Sequence, residues 1–454
     1  MFVSRATTIC DTNRMSTKTE DSRIPAGLLH RLAMLREVHG VVHPRFGDLS
    51  LPDAVRMSSA PCHAPGHLAI DDVIIHLTVT GRCNARCDGC INTSLESGCR
   101  ERGQVVTEFE CDPARDAATI VSVALASGDR PVTVALYGGE PLLEVDRVLQ
   151  LMRALDATPM APRVRYMLYT NGQLLDKVVR SYPGLFRRVK LLSVSIDGDA
   201  EQHRRFRPGT DLPTIETGLT RLRETFGGEV LLWSTLREEQ SLRSCFDQFL
   251  AYHDKALVGH FFWHWAESPD AYRDFAAYLR RYGEELEYVV QTYVEHLRRG
   301  RLLSIVHLSE LVTYLMTGRV RGHSACAVEL AENYDIVGGR VTACADLPLS
   351  IGGLPENAVD QGSAPELGFL VTYRGSLGCD SCGVYPYCGG RCPVQVLAGS
   401  PERTTQICQL MRLHVGIVQE RMDDITGALA RAGITSDALY DASAYMARYT
   451  DVVP

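Results

Sequence analysis

The sequence lacks any long hydrophobic run. No stretch of its 454 residues approaches the roughly 18 uninterrupted apolar residues of a membrane-spanning helix. Residues 1–23, MFVSRATTICDTNRMSTKTEDSR, are polar and lack the apolar core of a signal peptide. We therefore expect no membrane partner and a cytoplasmic location.

Concentrated positive charge is also absent. The formal net charge is −8 at pH 7, and no run of lysine and arginine could follow a phosphate backbone. This argues against nucleic acid as a partner. With 45% hydrophobic and 22% charged residues, the composition is that of a globular protein, and the length suffices for two or three domains.

Cysteine, by contrast, is abundant, with 15 residues. Disulfides are disfavoured in the cytoplasm, so clustered cysteines there indicate metal or redox chemistry. One cluster is Cys83, Cys87 and Cys90. A second group follows later in the chain: Cys326, Cys344, Cys379, Cys382, Cys388, Cys392 and Cys408. The others have no motif spacing and are predicted to be ordinary thiols: Cys10, Cys62, Cys99, Cys111 and Cys245.

The first cluster, CNARCDGC, has three cysteines where four would be usual. Structural zinc sites and ordinary iron–sulfur clusters use four protein ligands. A metal site closed by three protein ligands keeps one position open, and chemistry usually occurs at an open position. The trio therefore predicts a catalytic metal centre, and a zinc or redox site is the alternative.

Residues 71–265 alternate apolar runs with amphipathic stretches. The runs are typical of strands and lie at 73–80, 132–141, 164–172, 191–198, 229–235 and 257–265. The stretches between them predict helices at 113–127, 142–156, 174–188, 213–226 and 239–253. Repeated strand–helix units form parallel sheets, because parallel strands need long crossovers. We predict an α/β fold with an open, partial (β/α)6 barrel, whose active residues cluster at the carboxyl ends of the strands.

The remaining chain divides by pattern. Residues 270–317 have helical periodicity, 326–408 combine many cysteines with little periodicity, and 405–432 predict a closing helix. A fold with so little periodicity is typical of organisation by metal. A short helix is predicted at about 26–38. The chain is predicted to divide into five parts. They are an N-terminal segment of unknown role (1–70), the barrel (71–265), a helical bridge (266–325), a small cysteine-rich α+β domain (326–410), and a C-terminal helix and tail (411–454).

The motif CxxxCxxC after the first strand of a β/α repeat resembles the radical S-adenosylmethionine (radical SAM) superfamily. The resemblance implies that Cys83, Cys87 and Cys90 hold a [4Fe–4S] cluster and that SAM chelates the fourth iron. In that family the cluster's electron cleaves SAM to methionine and a 5′-deoxyadenosyl radical, which abstracts a hydrogen atom. An open iron accounts for the missing fourth cysteine.

Further motifs agree with this resemblance. GGEP at 138–141 is similar to the family's methionine-binding motif, in which Gly138 and Gly139 let SAM approach and Glu140 meets its ammonium group. SIDG at 195–198 implies that Ser195 binds the ribose. Arg207 resembles an arginine that reaches the SAM carboxylate, with a surface salt bridge as the alternative reading.

One position departs from the family pattern. The residue before the third cysteine is usually an aromatic that packs on adenine, and here it is Gly89. Two polar residues after strands, Asn171 and Asp197, are open to the simpler reading that they cap strand ends.

The second cysteine group resembles the SPASM domain, which carries two auxiliary [4Fe–4S] clusters. The spacing is C-x12-G-x4-C followed by C-x2-C-x5-C-x3-C and a last cysteine, and loops held by zinc are the alternative. The resemblance implies that a distal cluster is held by Cys379, Cys382, Cys388 and Cys408. It implies that a proximal cluster is held by Cys326, Cys344 and Cys392. The chain would then hold three [4Fe–4S] clusters.

The proximal set lacks a fourth cysteine. The region where related proteins add one reads AENYD, with Glu332 and Asn333. We predict an open or non-cysteine fourth site, which a substrate heteroatom, His323, a carboxylate or water would complete. Carboxylates suit this soft site poorly.

SPASM enzymes mostly modify ribosomally made peptides, and others oxidise a cysteine or serine of a sulfatase. The sulfatase type uses an aspartate base directly after the cysteine that Cys344 matches; here that neighbour is Ala345, with Asp346 one further. The resemblance therefore favours a maturase that crosslinks or similarly oxidises a precursor peptide, supplied with electrons by flavodoxin or ferredoxin. The alternatives are a small-molecule dehydrogenase or epimerase, a sulfatase-type oxidase, and a non-catalytic iron–sulfur carrier.

Overall fold

The computed structural model describes residues 72–90, 110–330, 333–346 and 367–450. The N-terminal segment 1–70, its predicted helix at about 26–38, Cys99 and Glu332 lie outside these residues. Within the described ranges, no helix is both long enough and apolar enough to cross a membrane. The cysteines of these ranges are all free thiols.

Six parallel strands form the core of the fold, in chain order. They are β1 Val73–Thr80, β2 Val132–Gly138, β3 Val164–Thr170, β4 Val189–Ser195, β5 Glu229–Leu236 and β6 His260–Trp265. Each strand pairs in parallel with the next. The predicted α/β fold with a parallel sheet is confirmed.

Helices connect these strands. They are α1 Pro113–Ala126, α2 Val145–Asp156, α3 Leu175–Ser181, α4 Pro183–Phe186, α5 Ala200–Phe206, α6 Leu212–Arg223 and α7 Leu242–Asp254. α1 shows why such a helix begins where it does. The Asp112 carboxylate accepts bonds from the N–H groups of Ala114 and Arg115, and Pro113 occupies the first turn, where its missing N–H costs nothing.

The two faces of the sheet are buried in different clusters. On β1, alternate residues such as Ile75 and Leu77 pack in the large core with the helices. The residues between them face the other way, because side chains alternate along a strand. Ile74 belongs to a smaller apolar cluster that fills the inner face: Ile74, Ala135, Met167, Leu191, Leu231, Phe262, Val306 and Met446.

The sheet is longer than the sequence predicted. Three short strands extend it: β7 Ser304–Ile305, β8 Asn333–Val337 and β9 Arg340–Thr342. The strand order is β7-β6-β5-β4-β3-β2-β1-β8-β9. β8 runs parallel to β1, with His76 opposite Asp335, and β9 runs antiparallel to β8. The start of the cysteine-rich region therefore belongs to the barrel sheet.

The rest of the described chain is helical. The bridge predicted at 270–317 consists of α8 Phe275–Arg298 and α9 Val306–Thr317. Shorter elements follow, α10 Tyr373–Leu377, α11 Tyr385–Cys388 and α12 Pro393–Ala398. The closing helix predicted at 405–432 is two helices, α13 Pro401–Glu420 and α14 Met422–Ala432, followed by α15 Ser436–Ala442.

Short 3-10 helices lie between these elements and at the end of the described chain. They are Pro141–Leu143, Ala161–Arg163, Val328–Leu330, Gly368–Val371, Cys379–Ser381 and Ala444–Tyr449. Met446 of the last turn packs in the inner cluster of the barrel. The end of the described chain thus returns to the barrel interior.

Candidate active site

A cavity of about 520 Å3 lies where the carboxyl ends of the parallel strands meet. Both kinds of cysteine group reach it. Its lining includes Cys83, Cys87 and Cys90, and also Cys326, Cys344 and Cys392. Ligand sites of parallel sheets lie at this edge, where the loops after several strands converge.

The first cysteine loop follows β1 and is hydrogen-bonded to the last residue of α5 and to the segment after it. The N–H of Arg86 donates to the carbonyl of Pro208 at 2.8 Å, and the N–H of Asp88 donates to the carbonyl of Phe206 at 2.9 Å. Cys83 is exposed, with the N–H of Ala85 3.3 Å from its sulfur. These backbone bonds fix the loop while leaving its thiols at the cavity.

The two glycines of GGEP are required by close backbone packing. Gly138 has φ +122°, and a Cβ there would lie 2.4 Å from the carbonyl oxygen of Thr80. A Cβ on Gly139 would lie 2.2 Å from the carbonyl oxygen of Arg82. The N–H of Gly139 also donates to the Thr80 carbonyl at 2.8 Å. Both glycines line the cavity, but their first physical role is to let the end of β2 approach the cysteine loop.

Glu140 is fully buried and bonded within the protein. Its Oε1 accepts bonds from Leu142 N–H at 3.0 Å and the Thr170 hydroxyl at 2.9 Å, and its Oε2 accepts from Asn171 N–H at 2.7 Å. Burial raises the pKa of Glu140 to about 7, even though these three donors act to lower it. The carboxylate therefore ties the ends of β2 and β3 together. Contact with a ligand ammonium would have to be made in addition to these bonds, and remains a prediction.

Arg207 lies in a buried ion-pair network and is only 8% exposed, which excludes the surface salt bridge. Its Nε is 2.7 Å from Asp197 Oδ2, and its Nη1 is 3.8 Å from the sulfur of Cys87. Arg237 pairs with the same Asp197 oxygen at 2.9 Å, and it was not among the site residues predicted from the sequence. The two arginines hold the pKa of Asp197 well below its usual range, although burial opposes them. Arg207 and Arg237 both line the cavity, so Asp197 does more than cap a strand.

Arg237 also lies beside Gly89, the position that departs from the family pattern. Gly89 has φ +55°, in the left-handed region that favours glycine, and a Cβ there would lie 3.6 Å from Arg237 Nε. The Arg237 Nε donates to the neighbouring Asp88 carbonyl. A side chain at 89 would therefore be strained by the backbone conformation, whereas its contact with the guanidinium would be an ordinary one. The position of Arg237 just after β5 was the available signal, because it is where such sheets place functional residues.

Two other residues lie at this edge. Ser195, the last residue of β4, lines the cavity. The Asn171 amide donates to Asn84 Oδ1 at 2.8 Å and lies 3.7 Å from the sulfur of Cys83, which connects the TNG motif to the cysteine loop.

The second cysteine group separates into two neighbourhoods. Burial and nearby charges, among them Cys392 and Cys326, raise the pKa of Cys344. Burial and the charges of Cys408, Cys388 and Cys382 raise the pKa of Cys379. The structure thus brings together the same two sets that the resemblance implied, and their roles as ligands stay predictions.

The donor sets suit iron–sulfur clusters in their chemistry. Among the described residues, no three side chains of His, Cys, Asp or Glu form a site for a single metal ion. Thiolates are also the soft ligands that such clusters require.

Residues 77–234 match the radical SAM superfamily. The matched segment begins in β1, ends in β5 and contains the first cysteine cluster, GGEP, Ser195 and Arg207. The chemistry expected of the cavity thus agrees with the family that this segment matches.

The fold is shared with solved structures of anSMEcpe. Native anSMEcpe with bound AdoMet has a TM-score of 0.58 and 16% identity, covering 78% of this chain and 98% of that chain. Hexahistidine-tagged anSMEcpe with bound AdoMet has a TM-score of 0.60 and 16% identity, with coverage of 82% and 98%. Streptococcus suis SuiB bound to precursor peptide SuiA has a TM-score of 0.47 and 16% identity, with coverage of 74% and 75%. No curated protein matches the sequence.

Proposed function

We propose that this protein is a radical SAM maturase of the SPASM type that oxidatively modifies a ribosomally made precursor peptide, by crosslinking or a similar reaction. The main support is that Cys83, Cys87 and Cys90 share one cavity with Cys326, Cys344 and Cys392. The centre that cleaves SAM and a second redox centre would then both face the cavity in which the substrate binds. A structure of the same fold, anSMEcpe, was solved with AdoMet and Cp18Cys peptide.

The first cysteine cluster would hold a [4Fe–4S] cluster. When bound, that cluster and SAM supply a 5′-deoxyadenosyl radical that abstracts a hydrogen atom from the substrate. The hard chemistry belongs to the cofactors, and the protein contributes binding, orientation and electrostatics.

Arg207 and Arg237 supply the electrostatic part. They share a single buried carboxylate, Asp197, so two cations are balanced by one anion at this wall of the cavity. The remaining positive charge suits the carboxylate of SAM, and a guanidinium binds a carboxylate with two parallel hydrogen bonds. Ser195 and Asn171 offer neutral polar groups on the same side, where a ribose would need them.

The second group would hold the auxiliary clusters. Cys326, Cys344 and Cys392 would hold the proximal one, with its fourth position filled by substrate or by another residue. The distal cluster would be held by Cys379, Cys382, Cys388 and Cys408. Flavodoxin or ferredoxin would deliver the electrons, in the cytoplasm.

The test uses anaerobically reconstituted protein with SAM, a reductant and a peptide encoded beside its gene. We expect 5′-deoxyadenosine to form and the peptide to lose two hydrogens by mass spectrometry, with tandem fragmentation locating the change. Protein that forms 5′-deoxyadenosine but leaves every neighbouring peptide unmodified would contradict the peptide assignment. Protein that forms no 5′-deoxyadenosine would contradict the radical SAM activity itself.

A sulfatase-type oxidase is the second candidate, because Asp346 lines the cavity although Ala345 follows Cys344. A cysteine-containing sulfatase peptide, offered in the same assay, separates the two functions. Oxidation of that cysteine would favour the second candidate. For a small-molecule dehydrogenase or epimerase, the distinguishing observation is a gene neighbourhood without any small peptide gene.

A further inference from the structure

A band of aromatic side chains crosses the inner face of the barrel at the cavity. His76, Tyr137, Tyr169 and Trp233 all line the cavity. Each lies two residues beyond an apolar residue of the inner cluster on its strand, namely Ile74, Ala135, Met167 and Leu231. Side chains two residues apart share a face, so the band lies one pleat nearer the carboxyl ends.

The rings of this band contact one another in sequence. The ring centroids of His76 and Tyr137 are 6.2 Å apart, those of Tyr137 and Tyr169 are 5.5 Å apart, and those of Tyr169 and Trp233 are 5.6 Å apart. The interplanar angles of these pairs are 74°, 79° and 74°. The rings are therefore packed edge to face, which holds them in fixed orientations.

Two carboxylates continue the band on the side of β8. Asp335 lies opposite His76 in the register of β8 with β1, and its Oδ2 accepts a bond from the N–H of Ala345 at 2.9 Å. Asp346 directly follows Ala345 in the chain and lines the same cavity. Both carboxylates lie near Cys344, whose thiol pKa is raised by burial and, to a smaller extent, by their charges.

Positive charge collects at a different wall. Arg207 and Arg237 lie at the first cysteine loop. Arg237 follows β5, and four strands, β4, β3, β2 and β1, separate β5 from β8 in the sheet. The cavity is thus cationic beside Cys87 and anionic beside Cys344, with the aromatic band running between the two ends. An anionic substrate group would be repelled by the second end, where the carboxylates gather.

We propose that the anionic end of the cavity binds a cationic side chain, lysine or arginine, of the peptide substrate, with the cation over the aromatic band and Asp335 and Asp346 as its counter-charges. This inference rests on the proposed function, since it concerns the same cavity. Aromatic faces attract cations, most strongly where water is excluded. Carboxylates at a cavity wall also favour a cationic ligand, because opposite charges attract more strongly where less water screens them.

The test measures binding to anaerobically reconstituted protein with SAM present. The probes are fluorescent, end-capped glycine–serine peptides that carry one variable residue. Lysine and norleucine form the matched pair, because norleucine keeps the aliphatic stem and lacks the ammonium group. We expect the lysine peptide to bind about tenfold more tightly, which corresponds to about 1.4 kcal/mol.

Variants assign the preference to the named groups. The substitutions D335N and D346N keep side-chain size and remove charge, so together they should abolish the preference for lysine. D129N, in an exposed turn, is the matched control and should keep it. On the aromatic side, Y169F should keep the preference and Y169L should reduce it, which provides a second test if the aspartate variants fold poorly.

Several results would overturn the inference. The inference fails if the norleucine, tryptophan or glutamate peptide binds as tightly as the lysine peptide. It also fails if the preference for lysine survives in the double aspartate variant. Absence of binding by every probe would also count against it. Cleavage of SAM by the wild-type protein without peptide is measured separately, so failure of the radical SAM activity is distinguishable from failure of the charge preference.

Discussion

At the scale of single residues, Asp197 matters most for the electrostatics of the cavity. It is fully buried, pairs with Arg207 and Arg237, and accepts a bond from Thr235 N–H at 2.9 Å. Removing one partner of a buried ion pair leaves the other charge uncompensated, and here two guanidinium groups depend on one carboxylate.

We predict that D197N destabilises the protein by about 3 kcal/mol, since it leaves two buried cations without a counter-charge. Urea unfolding at pH 7 measures this loss. D129N makes the same substitution at an exposed position and should leave the free energy of unfolding unchanged. Equal stability of D197N and the wild type would contradict the assigned role of Asp197.

Glu140 predicts a pH dependence. Its pKa rises from 4.5 in the unfolded chain to about 7 in the folded protein, chiefly through burial. A raised pKa contributes stability that is present below pH 4.5 and is lost as pH rises through about 7. Glutamine resembles the neutral carboxyl, so E140Q should lack this loss.

Between pH 5.5 and 8, we expect the wild type to lose about 2 kcal/mol of unfolding free energy relative to E140Q, at about 1.4 kcal/mol per pKa unit. Anaerobic urea unfolding at the two pH values provides the comparison. E201Q, on the exposed side of α5, should follow the wild type. Parallel pH profiles for the wild type and E140Q would show that Glu140 is already ionised in the folded protein.

At the scale of elements, β8 is the strand that connects the barrel with the second cysteine group. It pairs with β1 on one side and β9 on the other, although it has only five residues. The chain then continues from β9 to Cys344, so the position of this thiol in the cavity depends on the pairing of β8.

We predict that I336P removes the proximal auxiliary cluster, because Ile336 pairs with Leu77 and with Val341 and proline cannot donate in the ladder. Iron analysis should show a loss of about four iron atoms per chain, with the other clusters retained. I336V keeps the ladder and should keep the iron. Full iron content in I336P would contradict the link between β8 and the cluster.

At the scale of the whole molecule, the first cysteine cluster and three cysteines of the second group open on one cavity, although they are far apart in the chain. Each should be removable without the other, because different elements support them: the loop after β1 and the chain around β8 and α12.

We predict that the triple variant C83A, C87A and C90A lowers iron from about twelve to about eight atoms per chain and forms no 5′-deoxyadenosine, as expected when one of three four-iron clusters is lost. Iron assay and chromatography of the reaction products measure both. C111A, which removes a thiol outside the motifs, should retain its iron. A triple variant that still forms 5′-deoxyadenosine would refute the assignment, and wild-type protein with only about four iron atoms would refute the auxiliary clusters.

The local features of the protein could be predicted from its sequence. Periodicity located all six barrel strands, and the cysteine spacings marked both groups, because strand pattern and motif spacing depend on neighbouring residues. The parallel sheet also followed from the alternation of strands and helices, since parallel strands require long crossovers. The placement of the first cluster after β1 then put it at the edge of the sheet where ligands bind.

Contacts between residues far apart in the chain could not be predicted, because they depend on the tertiary structure. The ring of His76 bonds to the side chain of Asn333 at 3.1 Å across 257 residues of chain, and no local pattern encodes that pairing. β8 and β9 were too short for periodicity to indicate. Arg237 reads as an ordinary surface cation until Asp197 is seen between it and Arg207. Such pairings are set by the packing of whole elements, so only the folded chain shows that the cavity has a cationic end, an anionic end and an aromatic band between them.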